Sequence, residues 1–161
     1  MKISRIKTSA LLLAVFAVFA TAQAGTIHVA PGGTGAGTSW SDPLGDVQAA
    51  VDAAAPGDTI LLAGGTYAVS SPVAIGKTVF IRGGYDPATG LPGATTSVVT
   101  RAGGATTRLV SVSGVSGGEL RDVTLSGGVL YPVADNAYGA GIQISGSTGY
   151  ALVGCTISGN K

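Results

Sequence analysis

Apolar residues along this chain fall into three patterns. Residues 10–20 (ALLLAVFAVFA) form one unbroken run of eleven. Within 43–55, Leu44, Val47, Val51 and Ala54 recur at i, i+3, i+7 and i+10, the spacing of one helical face. From residue 59 onward the runs shrink to three or four residues rich in Val, Ile, Leu and Thr, and nearly all end in Gly or Ser-Gly. That pattern predicts strands at 59–62, 79–81, 109–112, 123–125, 142–144 and 155–157, with an earlier one at 26–30. No helical pattern separates them, so folds that need helical crossovers between parallel strands do not fit.

The helix is predicted over 43–55. Asp42 suits the N-cap and Pro43 the first helical position, while Pro56-Gly57 ends the run. Residues 31–38 (PGGTGAGT) before it are expected to form a flexible loop; the dinucleotide fingerprint does not fit, because no acidic residue follows a second strand at the required distance.

An internal repeat decides the architecture. Residues 108–128 (RLVSVSGVSGGELRDVTLSGG) align without a gap on residues 140–160 (AGIQISGSTGYALVGCTISGN), 32 positions later, with seven of 21 positions identical. Residues 78–84 (TVFIRGG) echo the strand-end portion. Self-similarity at a fixed period marks a stack of units, none of which can bury its own apolar face alone. The expected fold is all-β: a right-handed parallel β-helix, or solenoid, with a short capping α-helix. Stacking would align Cys155 with Val123 and Val79 in one interior column, and would place Asn160 at a turn suited to a side-chain ladder. The helix at 43–55 is expected to cover the N-terminal end of the stack with its Leu44/Val47/Val51 stripe. At the other end the sequence stops within a repeat, which leads to the expectation of a fragment of a longer protein.

The first apolar run is an address. Lys2, Arg5 and Lys7 precede it and Ala22-Gln23-Ala24 follows it, the order of a secretory signal peptide cleaved after Ala24. A spanning helix needs about 20 apolar residues, so a membrane anchor fits less well. The expected organisation is a signal peptide at 1–24, then a strand, Gly-rich loop and capping helix at 25–58, then stacked strands at 59–161.

Charge removes one class of partner. The formal charge of +1 includes Lys2, Arg5 and Lys7; without them six basic and eight acidic residues remain. No basic stripe is left for nucleic acid. Mean hydropathy of +0.46 and 45% hydrophobic residues argue against disorder. With one cysteine, Cys155, neither an internal disulfide nor a Cys-built zinc site can form.

Residues 26–67 (TIHVAPGGTGAGTSWSDPLGDVQAAVDAAAPGDTILLAGGTY) resemble the opening of secreted bacterial β-helix proteins of the pectin-lyase-like superfamily, and AYGAGIQISGS…CTISGNK (137–161) is similar to the repeats of polymorphic outer-membrane proteins. The resemblance implies export to the cell surface or exterior and a β-helix, but no single activity, since that superfamily holds lyases, hydrolases, adhesins and passenger domains. Lyases of this fold would bring clustered acids that bind calcium and a basic residue that takes the proton. Here Asp58, Asp86, Asp122 and Asp135, with Arg82, Arg101, Arg108 and Arg121, include no two acids spaced two apart on one strand face.

Gly76-Lys77-Thr78 lacks the upstream glycine of a phosphate loop, its place being taken by Ser71. His28, the only histidine, is expected to be a strand-edge polar residue. Trp40 and Tyr67 are expected to pack over the N-terminal cap, with a sugar-stacking surface as the alternative. The sequence therefore assigns no catalytic, cofactor-binding or metal-binding residue. It favours a non-enzymatic adhesive or structural scaffold whose partners are polysaccharides or cell-surface glycans. The alternatives are a polysaccharide lyase or glycoside hydrolase with its catalytic strands further along, or a carbohydrate-binding module.

Overall fold

The computed structural model describes residues 23–93, 95–130 and 139–161. The predicted signal segment, apart from Gln23 and Ala24, lies outside the described residues, as does Asp135. In chain order the elements are β1 (Thr26–Val29), β2 (Thr34–Ser39), β3 (Asp42–Leu44), α1 (Val47–Ala53), β4 (Thr59–Ala63), β5 (Gly65–Val69), β6 (Val73–Ile75), β7 (Phe80–Tyr85), β8 (Ser97–Arg101), β9 (Val110–Ser113), β10 (Glu119–Arg121), β11 (Val123–Ser126), β12 (Ile142–Ser145), β13 (Ala151–Val153) and β14 (Thr156–Ser158).

The fold is all-β with one short helix, and its sheets are built of parallel strands. Sheet A runs β13-β10-β7-β4-β1-β3-β2, sheet B runs β14-β11-β8-β5, and sheet C runs β12-β9-β6. From β4 onward the chain visits the three sheets in turn. Each of these strands pairs in parallel with the strand three elements later where one follows, and among the named strands only the β2–β3 pair is antiparallel.

Strands this short hold together because alternate side chains point inward and stack in register. In sheet A the inward column is Ile27, Ile60, Ile81, Leu120 and Leu152. Sheet B contributes Tyr67, Val99, Leu125 and Ile157, and sheet C contributes Ile75, Val112 and Ile144. The middle members of these columns join residues of α1 in one buried cluster. Fully burying each such aliphatic side chain contributes roughly 1.5–3 kcal/mol. The columns end in the open: Ile144, Leu152 and Ile157 are 41%, 40% and 48% exposed.

The helix begins later than the sequence predicts. Asp46, not Asp42, is its N-cap, in extended conformation, with its carboxylate accepting the Ala49 N–H at 2.7 Å. Asp42 and Pro43 belong to β3 instead. Sheet pairing wins there because Leu44 aligns with Val29 of β1, while the Asp42 carboxylate accepts the Ala36 N–H and the Thr38 hydroxyl across the hairpin. Leu44 therefore reaches the core from a strand, and the helix buries Val47, Ala50 and Val51. The predicted loop at 31–38 is largely β2, a strand that alternation could not reveal because Thr34–Ser39 holds only small residues. β3 and β2 extend sheet A beyond β1, while α1 lies against β6 and β1.

One predicted column is also corrected. Val123 pairs with Ser97, not with Val79, whose carbonyl accepts the Glu119 N–H beside sheet A. The long connection between β7 and β8 shifts the spacing of that layer away from the later repeat. Among the described residues, no helix is long and apolar enough to cross a membrane.

Candidate functional site

A single residue, Asp122, turns the chain from β10 of sheet A into β11 of sheet B. Such a corner needs a left-handed backbone, and Asp122 adopts φ +53°, the only positive φ at a non-glycine among the described residues. Its counterpart in the repeat is Gly154, with φ +62°. Asp tolerates this conformation better than most residues, yet it still strains the backbone. The Asp122 N–H is fixed by the Val153 carbonyl at 2.9 Å. Its exposed carboxylate lies against the Gly154 Cα, where any side chain would collide with it.

The corner opens on a cleft of about 510 Å³, lined by Asp122, Thr95, Thr96, Thr124, Thr156 and the backbone of Gly83, Gly84, Pro92, Gly93 and Gly154. Thr124 and Thr156 are register neighbours on the outer face of sheet B. Behind the cleft the fully buried Ser97 hydroxyl accepts the Gly84 N–H at 2.8 Å and lies 2.8 Å from the Ala63 carbonyl, which fixes β7 against β8. Among the described residues the lining therefore offers one carboxylate, four hydroxyls, the Pro92 ring and bare peptide groups, with no cationic and no aromatic side chain.

The other sequence-predicted candidates are placed elsewhere. Arg82 and Arg121 are adjacent in register on sheet A, and both turn to Glu119, at 3.2 and 2.8 Å. The hydrogen bond from Arg121, and less so the one from Arg82, holds the Glu119 carboxyl below the usual glutamate range. Glu119 escaped notice in the sequence; its position two residues before Arg121, on the same strand face, was the available signal. Asp58 accepts the N–H groups of Gly25 and Ala55, and Asp86 closes its own turn through Ala88 and Thr89. Arg101 donates to the Ala105 carbonyl, and Arg108 lies half-buried just before β9. Among the described residues, no group of three or more His, Cys, Asp or Glu could hold a metal ion.

Trp40 and Tyr67 do not share a surface. Tyr67 is buried, its hydroxyl 3.0 and 2.9 Å from the carbonyls of Val29 and Ala63, and burial raises its phenol pKa. Trp40 instead packs edge-on against His28 at 4.7 Å and stacks on Tyr85 at 6.0 Å. Lys77 donates to the carbonyls of Asp52 and Ala54 at the end of α1, and Thr78 to that of Ser116, so both have structural work. Cys155 packs against the core, with its Sγ 3.2 Å from the Leu120 carbonyl. Asn160 bridges successive layers, accepting the Gly128 N–H and donating to the Leu125 carbonyl; the backbone of Gly128 stands where a second ladder side chain would be.

No family model matches the chain, and no curated protein or solved structure matches it.

Proposed function

We propose that the chain is an exported right-handed parallel β-helix that serves as a rigid scaffold with an adhesive outer face for glycans, and that it does not catalyse a reaction. The observation that carries this reading is the agreement of two independent periodicities. The sequence repeats between 108–128 and 140–160, and the same interval pairs β9 with β12, β10 with β13 and β11 with β14, in parallel and in register. A chain that winds through three sheets and returns to each in turn builds a stack of layers about 4.8 Å apart. Right-handedness follows from the general preference of crossovers between parallel strands. The inter-strand hydrogen bonds then run along the stack, which stiffens it and leaves side chains in outward rows. Export rests on the basic, apolar and Ala-x-Ala order of residues 1–24.

The test is to express the chain with residues 1–24 in a bacterium and weigh the exported product. A product beginning at Gly25 is expected. Incubated with polygalacturonate and with neutral polysaccharides, it should bind without cutting. Release of unsaturated oligosaccharides would overturn the scaffold reading in favour of a lyase.

A further inference from the structure

The geometry points to the Asp122 cleft as a binding site for a neutral saccharide unit, with the Asp122 carboxylate accepting hydroxyl protons from the ligand. This deepens the adhesive reading above by naming its site and ligand class.

Two independent observations meet at this corner. One is the strain: the repeat supplies a glycine solution in Gly154, yet Asp122 occupies the corresponding turn as the only non-glycine with positive φ among the described residues. Strain of this kind persists where the surroundings hold it in place, and it gathers at functional sites. The other is the cleft, whose volume of about 510 Å³ lies within the range of small-ligand sites. The Asp122 turn needs no carboxylate, because its backbone N–H alone bonds to Val153. The exposed carboxylate instead lies over the backbone of Gly154, in the place a side chain there would take, at the edge of the cleft.

The lining selects the ligand chemistry. An ionised carboxylate is an acceptor that a vicinal diol can satisfy with two charge-assisted hydrogen bonds. The hydroxyls of Thr95, Thr96, Thr124 and Thr156 can each donate or accept, which suits a ligand with many hydroxyls. An anionic sugar would face the carboxylate with no cation among the described lining residues to offset it. A simple ammonium ion would gain little from one solvent-exposed carboxylate.

The test is an amide NMR titration of the chain from Gly25 with methyl glycosides of glucose, galactose, mannose and N-acetylglucosamine, beside galacturonate, each to about 10 mM, the scale of weak single-site binding. At least one neutral glycoside should shift the amides of Gly84, Gly93, Thr124 and Gly154, with galacturonate weaker. Asp122→Asn and Asp122→Gly, both tolerant of the turn, should fold and lose about tenfold in affinity. If neutral glycosides bind but shift amides elsewhere, or bind both variants as tightly as wild type, the cleft assignment falls while the adhesive reading stands. If no glycoside shifts any amide, the cleft assignment falls as well; the adhesive reading falls with it only if the exported product also fails to bind polysaccharide.

Discussion

The side-chain amide of Gln48 pairs with the backbone of Ala74 as a neighbouring strand would. Its Oε1 accepts the Ala74 N–H at 2.6 Å, and its Nε2 donates to the Ala74 carbonyl at 3.3 Å. Ala74 is the centre of β6, the outermost strand of sheet C on that side. One glutamine on α1 thus satisfies an edge that would otherwise template another chain. Replacing it with alanine, Gln48→Ala, should cost about 1 kcal/mol, the usual worth of such bonds. Urea denaturation measures the loss, and hydrogen exchange at Ala74 should speed up more than at Ser111, its partner inside the sheet.

The inward columns predict a gradient of tolerance. Leu125 is fully buried, and its register neighbour Ile157 is 48% exposed. Leu125→Ala should therefore cost about 2–5 kcal/mol, the range for emptying a packed site. Ile157→Ala should cost well under half as much in the same denaturation experiment. Equal losses would contradict the burial pattern.

The Asp122 corner predicts a coupling. Gly154→Ala should destabilise the protein by about 1–2 kcal/mol from backbone strain alone, and by more because the new methyl group meets the Asp122 carboxylate. In the Asp122→Gly background the second component should vanish. A double-mutant cycle on thermal stability should thus give a non-zero coupling. Asp122→Val, β-branched at positive φ, should be worse than Asp122→Gly.

Acid should weaken the outer face of sheet A. Glu119 has a lowered pKa in the folded state, chiefly through its hydrogen bond from Arg121. Its stabilisation is present above the ordinary glutamate range and fades as the pH falls from that range through the depressed value. Both arginine side chains remain about two-fifths exposed, so solvent screens the pairs and the contribution is small. Thermal melts of wild type and Glu119→Gln should differ at neutral pH and converge in acid.

Strands with β-branched pairs were legible from the sequence, as at β1, β4, β9, β11 and β12. The three-residue strands β6, β10 and β13 were not, because so short a segment is strand only by virtue of its neighbours. β8 was missed although Val98-Val99 carried a usable signal. The helix start was misplaced because two aspartates four residues apart both suit an N-cap, and only the pairing of Leu44 with Val29 decides between them. The cleft was invisible: its walls come from the β7–β8 connection and from threonines of two separate repeats, and the one hint of the positive φ of Asp122 is the glycine, Gly154, that the repeat sets opposite it.

The most direct test of the stacked, repeating architecture is a set of inter-strand nuclear Overhauser effects on the chain from Gly25. Contacts should link Ser111 with Gln143, Leu120 with Leu152 and Thr124 with Thr156, one pair in each sheet and all at the interval of the sequence repeat. The pattern should be parallel, with Hα-to-amide contacts offset along each pair. Antiparallel contacts, or pairing between the successive strands β9, β10 and β11, would contradict the stack and the scaffold function proposed for it.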